Sequence, residues 1–76
     1  MNDKQRRALE LLAEITKRPV DSIEPSHDLR EDLRLDSAQS LELLCAMEEE
    51  LEVDIPEVEA ARMRTVQDIL DFAPGA

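Results

Sequence analysis

Apolar positions recur near the start of the chain at Ala8, Leu11, Leu12 and Ile15, the i, i+3, i+4, i+7 spacing of one helical face. Lys4, Arg6, Arg7, Glu10 and Glu14 fall mostly elsewhere, so the spacing predicts a helix over about Asp3–Thr16. Asn2 or Asp3 can cap its start. Pro19 is expected to stop it, because the residue before a proline is pushed out of helical geometry. The periodicity then breaks from about Lys17 to Leu35, a stretch holding Pro19, Pro25, Asp21, Ser22, Ser26 and Asp28. Val20, Ile23, Leu29, Leu33 and Leu35 are too regular there for a free linker, and they predict a loop pinned across a helical core. So long a connection in so small a chain is unusual and often functional.

A second helix is predicted over about Ser37–Leu51, capped by Asp36 or Ser37, with Gln39 three residues after Asp36 as in a capping box. Val53, Ile55 and Pro56 read as a short extended exit, and a brief helix fits about Glu57–Ala61. The last helix begins at Thr65, where Thr65-Val66-Gln67-Asp68 fits another capping box, and Pro74 and Gly75 end it. It turns Val66, Ile69, Leu70 and Phe72 inward. The expected fold is all-α: a small antiparallel bundle of three main helices plus a short fourth, with a long loop between the first and second, as one domain over residues 1–76.

The second helix carries two apolar arcs. At about 100° per residue, Ser40, Leu43, Leu44, Met47 and Leu51 cluster on one side, the core face. Ala38, Leu41, Glu42, Cys45 and Glu49 cluster on the other, with Glu48 at their edge. No basic residue occurs between Ser37 and Leu51. Solvated faces usually mix lysine with glutamate, and like charges at helical spacings cost roughly 0.2–0.5 kcal/mol per close pair. An apolar stripe edged with carboxylates therefore points to recognition of a basic partner.

Composition sharpens this. Nine Lys and Arg against nineteen Asp and Glu leave a net charge of −10. Nucleic acid and anionic membrane surfaces repel such a chain. One Gly and one aromatic (Phe72) argue against turn-rich barrels and base-stacking platforms. A single cysteine makes no internal disulfide, and no CxxC pair suggests zinc. The polar Met-Asn-Asp-Lys-Gln-Arg-Arg start, with no apolar signal core and no run near 20 apolar residues, reads as cytoplasmic without membrane insertion. His27 lacks a second histidine to share a metal, and Asp28, Glu31, Asp32 and Asp36 lack the central glycine of an EF-hand, so no metal site is expected beyond a loose cation contact. Cys45 reads as a small, partly apolar filler, with no base near it in sequence and acidic neighbours that raise a thiol pKa. Met47 and Met63 read as core fillers, and Arg62 and Arg64 as a small basic spot near the last helix. Without a His–nucleophile pairing or much volume to bury a site, the chain does not read as an enzyme.

Asp36-Ser37, then Leu41-Glu42-Leu43, Ala46-Met47-Glu48-Glu49-Glu50-Leu51, Asp54-Ile55-Pro56 and Thr65-Val66-Gln67-Asp68-Ile69 together resemble the acyl carrier proteins over nearly the whole chain. The resemblance implies a 4′-phosphopantetheine arm on Ser37, moved there from coenzyme A by a phosphopantetheinyl transferase using Mg²⁺ held mainly by the transferase. It implies a passive monomeric carrier that presents acyl thioesters to fatty-acid, lipid or specialised polyketide and acyl enzymes, with the acyl chain able to retreat between the helices. Asp36, Ala38, Leu41, Glu42, Cys45, Glu48 and Glu49 would form the surface that meets basic docking patches on those enzymes. Two positions depart from the family's usual pattern. Leu35 stands where glycine is common before the Asp-Ser pair, and Ala38 where leucine is common after it. A Leu-Asp-Ser sequence also looks like dedicated carriers, such as D-alanyl carriers, while Asp36 in place of histidine argues against a peptidyl carrier. The competing expectation is an acidic helical adaptor that binds a basic protein without a prosthetic group. Ser37 as a plain helix cap is the bland reading of that residue.

Overall fold

The computed structural model describes residues 2–72, so the expected stop at Pro74 and Gly75 lies outside the described residues. Four α-helices follow one another: α1 (Asp3–Thr16), α2 (Ser37–Leu51), α3 (Glu57–Arg62) and α4 (Val66–Phe72). A single 3₁₀ turn, Val20–Ser22, sits in the long loop.

α1 starts as its sequence demands. Gln5 N–H donates to Asn2 Oδ1 (2.7 Å), and Asn2 N–H donates to Gln5 Oε1 (3.1 Å), a reciprocal cap. Its end falls at Thr16, where the spacing puts it, but by other means. Lys17, not Pro19, stops the helix by turning left-handed at φ 57°. Lys17 N–H then donates to Glu14 O (3.3 Å) and Arg18 N–H to Ala13 O (3.1 Å), which satisfies carbonyls the helix would otherwise leave open. Arg34 (φ 62°) and Glu52 (φ 54°) are left-handed as well, one before α2 and one after it. A side chain at such a position costs roughly 1–2 kcal/mol, and only a glycine would have signalled it in the sequence.

One apolar cluster holds the elements together, with Leu12, Leu43, Met47, Val66 and Ile69 as its largest fully enclosed side chains. α1 contributes Ala8, Leu11, Leu12 and Ala13, while Ile15 is only half-buried. α2 contributes Leu43, Met47 and Leu51, and α4 contributes Val66, Ile69 and Leu70 with Phe72 half-buried against them. Ile23, Leu29, Leu33 and Leu35 do pin the long loop, whereas Val20, expected among them, is 38% exposed on the 3₁₀ turn. Polar ties reinforce the packing. Arg7 of α1 meets Glu50 of α2 at 2.7 Å and Glu10 at 3.2 Å, and the Glu50 hydrogen bond, followed by that to Glu10, raises the guanidinium's pKa further. The Gln5 side-chain amide donates to Leu70 O of α4 at 3.0 Å.

The loop also reaches across to the chain between α3 and α4. Leu29 N–H donates to Arg64 O (2.9 Å) and Val66 N–H to His27 O (3.0 Å), an antiparallel bridge between Asp28 and Thr65. Gln67 N–H donates to Pro25 O at 2.9 Å. Two amides of the α4 first turn are thereby satisfied by the loop backbone, which fastens α4 to a segment about forty residues earlier. No described helix is long and apolar enough to cross a membrane.

Candidate functional site

α2 begins in a way that separates capping from chemistry. Gln39 N–H donates to Asp36 Oδ1 (2.7 Å), and Asp36 N–H donates to Gln39 Oε1 (3.3 Å). Asp36 is therefore the cap, and Ser37 is the first helical residue. Ser37 is exposed, and its hydroxyl is spared the capping task. Ser40 N–H donates to Asp36 O at 2.9 Å, so the Ser37 and Ala38 amides remain the two open donors of the first turn among the described residues. That turn contains no acidic residue. An exposed nucleophilic hydroxyl beside two open amides, at the positive end of a 15-residue helix, suits an ester of phosphate.

The outer arc of α2 is exposed where the spacing placed it: Ala38, Leu41, Glu42, Cys45 and Glu49 all face solvent, Leu41 at 63% exposure. Cys45 is thus no filler; it is a free, exposed thiol. Glu48 behaves differently from its neighbours. It is half-buried, and its carboxylate accepts the Ile55 N–H at 3.2 Å, tying the end of α2 to the exit segment. Sequence reasoning missed that role, because a seven-residue return to Ile55 has no local signature. Val58 of α3 adds a second large exposed apolar side chain, at 60%. All nine ionisable side chains from Asp36 through Glu59, apart from Cys45, are acidic, so this stretch carries nine negative charges and no positive one in a chain of net charge −10.

Beside α2 lies an open cleft of about 570 Å³, walled by α2, by α3 and the Met63-Arg64 segment, and by loop residues 28–31 and 35. Leu43, Leu44 and Met63 line it, with Ser40 one helical turn beyond Ser37. Ser40 and Leu44, expected on the core face, are only half-buried because they border this opening.

The acidic loop residues are turned onto the loop itself. Asp28 Oδ1 accepts the Arg30 and Glu31 amides (2.9 and 2.8 Å), and Asp32 Oδ2 accepts the Asp28 amide (2.7 Å). The Glu31 N–H bond is the main cause holding the Asp28 carboxyl below its ordinary value, helped by Arg30 N–H and by the Arg64 guanidinium. Among the described residues no group of three or more His, Cys, Asp and Glu is arranged to hold a metal ion. His27 Nδ1 accepts the Glu24 N–H (3.1 Å) and serves loop packing.

Comparison with known proteins agrees with this geometry. The family model described as the phosphopantetheine attachment site matches residues 6–73. An acyl carrier protein of Thermosynechococcus vestitus (strain NIES-2133 / IAM M-273 / BP-1) is 48% identical over 52 residues, 68% of this chain and 64% of the relative. The similarity thus spans just under two thirds of that relative's length. The chain belongs to the acyl carrier protein family. Its prosthetic group is 4′-phosphopantetheine, and proteins of this family are carriers and not enzymes.

Proposed function

We propose that Ser37 is the residue that carries 4′-phosphopantetheine, and that the chain, as one domain, is a monomeric cytoplasmic carrier of acyl thioesters. The observation that carries this reading is the division of labour at the start of α2: Asp36 makes the cap, and the exposed Ser37 hydroxyl stands free beside two open amides. A phosphopantetheinyl transferase would join the Ser37 oxygen to the phosphorus of the pantetheine phosphate of coenzyme A, with the nucleotide portion leaving. The Ser37 and Ala38 amides and the α2 dipole favour the phosphodiester anion there. When bound, the arm supplies a mobile thiol on which an acyl group is held as a thioester. Cys45, on a short stem at mid-helix, has no comparable reach. The apolar wall of Leu43, Leu44 and Met63 offers shelter to a cargo that folds back one turn from Ser37.

Asp36, Ala38, Leu41, Glu42, Cys45 and Glu49, with Glu48 at the edge, would face the partner enzymes, which present basic patches in fatty-acid, lipid or specialised acyl and polyketide synthesis. Exposed Leu41 supplies apolar contact area and the flanking carboxylates steer the encounter. Incubation with coenzyme A and a phosphopantetheinyl transferase should add the mass of the arm to Ser37, and Ser37→Ala should abolish the gain. Modification at another residue, or none with several transferases, overturns the assignment. The second reading, an adaptor without a prosthetic group, draws on the same exposed Leu41 and acidic face but has no use for Ser37. It prevails if Ser37→Ala keeps full function in the cell.

A further inference from the structure

The cleft beside α2 has a divided lining. Its apolar part includes Leu43, Leu44 and Met63, but Arg30, Arg62 and Arg64 belong to the same lining, the Arg64 side chain 84% exposed. These are three of only nine basic residues in a chain of net charge −10, and α2 and its exit segment contribute none. They arrive from two distant stretches, brought together by the backbone bridge between the long loop and the chain before α4.

Two acids share the lining with these three arginines, Asp28 and the exposed Glu31, so the guanidinium groups outnumber the carboxylates. Asp28 accepts two loop amides and faces Arg64 Nε at 3.9 Å. On the far side of Arg62, Asp68 Oδ2 accepts the Arg64 and Thr65 amides, and Asp71 accepts the Gln67 side-chain amide. Among the described residues Arg62 has no carboxylate within 4.0 Å. The Ser40 side chain adds a hydroxyl to the same lining. An alkyl chain laid along the aliphatic part would end against charged, hydrated groups, whose desolvation by a methyl is unfavourable. A chain of the same length ending in a carboxylate would meet planar guanidinium donors suited to it.

We infer that this cleft selects a short acyl cargo with an aliphatic stem and a terminal carboxylate over a plain alkyl acyl group. The inference rests on the carrier reading of Ser37 and specifies its cargo class.

The test loads Ser37, through a phosphopantetheinyl transferase, with six-carbon acyl groups from three coenzyme A thioesters: hexanoyl, adipoyl and the adipoyl half-amide. Thioester hydrolysis is followed for each, relative to the free pantetheine thioester, together with the Met63 methyl chemical shift. The adipoyl form should survive about two- to fivefold longer than the hexanoyl form, as a solvent-bordered ion pair allows. It should also move the Met63 methyl most. The half-amide should resemble hexanoyl, 1 M NaCl should erase the advantage, and Arg62→Gln combined with Arg30→Gln should remove it. Both arginines are exposed, so the double variant should keep the wild-type melting temperature. Equal or greater protection of hexanoyl, a half-amide matching adipoyl, or an advantage that survives the double variant overturns the inference and leaves the carrier reading standing. Failure to load Ser37 with any of the three overturns both.

Discussion

α2 and α4 open with the same device and are put to opposite uses. Each has a reciprocal cap, Asp36 with Gln39 and Thr65 with Asp68. At α4 the remaining donors of the first turn are taken: Val66 N–H by His27 O and Gln67 N–H by Pro25 O. That end is closed, and it anchors the long loop. At α2 the corresponding Ser37 and Ala38 amides stay open among the described residues, beside an exposed hydroxyl. α1 shows that openness alone is not the distinguishing feature. Its cap, Asn2 with Gln5, has the same form, but its first helical residue is Asp3, whose own carboxylate answers the helix dipole. Among the described residues, only at α2 does an open first turn begin with a hydroxyl and hold no acid. The cap motif marks where a helix starts; the groups around it decide whether that start is sealed or available for chemistry.

This contrast can be broken by experiment. The largest expected effect separates chemistry from stability: Ser37→Ala loses all modification in the transferase assay yet shifts the urea midpoint little, because the side chain is exposed and caps nothing. Thr65→Ala should give the reverse, unaltered modification with about 1 kcal/mol less stability. If the two variants behave alike, the distinction between a sealed and an open helix start is wrong. Next comes the loop that seals α4. Leu29→Ala, at a side chain only 7% exposed, should lose about 2–5 kcal/mol. Amide exchange should then quicken at Val66 and Gln67 before it does at Leu43. Uniform quickening would show that the loop seals α4 no more than it supports α2.

A smaller effect concerns acid. Asp68 is held below the ordinary carboxyl value of 3.8 mainly by the Arg64 N–H and then by the Thr65 N–H, with the Thr65 hydroxyl a lesser cause. A depressed folded-state pKa means that its contribution is fully present above about pH 4 and fades as the pH falls through the lowered folded value. Asp68→Asn should therefore flatten the acid limb of the stability curve below pH 4, while Asp36→Asn, at the open helix start, serves as the comparison. An unchanged acid limb in the Asp68 variant removes that carboxylate from the α4 seal. The smallest expected effect lies on the outer face of α2. Glu42→Lys or Glu49→Lys should slow association with the transferase a few-fold without lowering the melting temperature, and added salt should mimic the change in the wild type. Rates insensitive to both would show that the acidic arc takes no part in the encounter.

Local pattern alone placed much of this molecule. The bounds of α1 and α2, the cap at Asp36, the second capping box at Thr65 and the two arcs of α2 all follow from helical periodicity and from residues within three or four positions of one another. The family was legible too, because Asp36-Ser37 and the motifs after it stand at their expected distances in a continuous chain. What escaped the sequence depends on contacts between distant segments or on backbone states that carry no residue signal. Lys17, Arg34 and Glu52 turn left-handed without a glycine to announce it, which is why the sequence points to Pro19 rather than Lys17 as the cause of the α1 stop, although the helix ends at Thr16 as expected. Glu48 turns to Ile55, Cys45 lies bare, and Val20 leaves the core on a 3₁₀ turn. The seal on α4 and the arginine-bearing part of the cleft lining arise only when residues 25–30 meet residues 62–67. Periodicity records which side of a helix is apolar, but only the packed chain determines which polar groups are consumed by neighbours and which remain free to act.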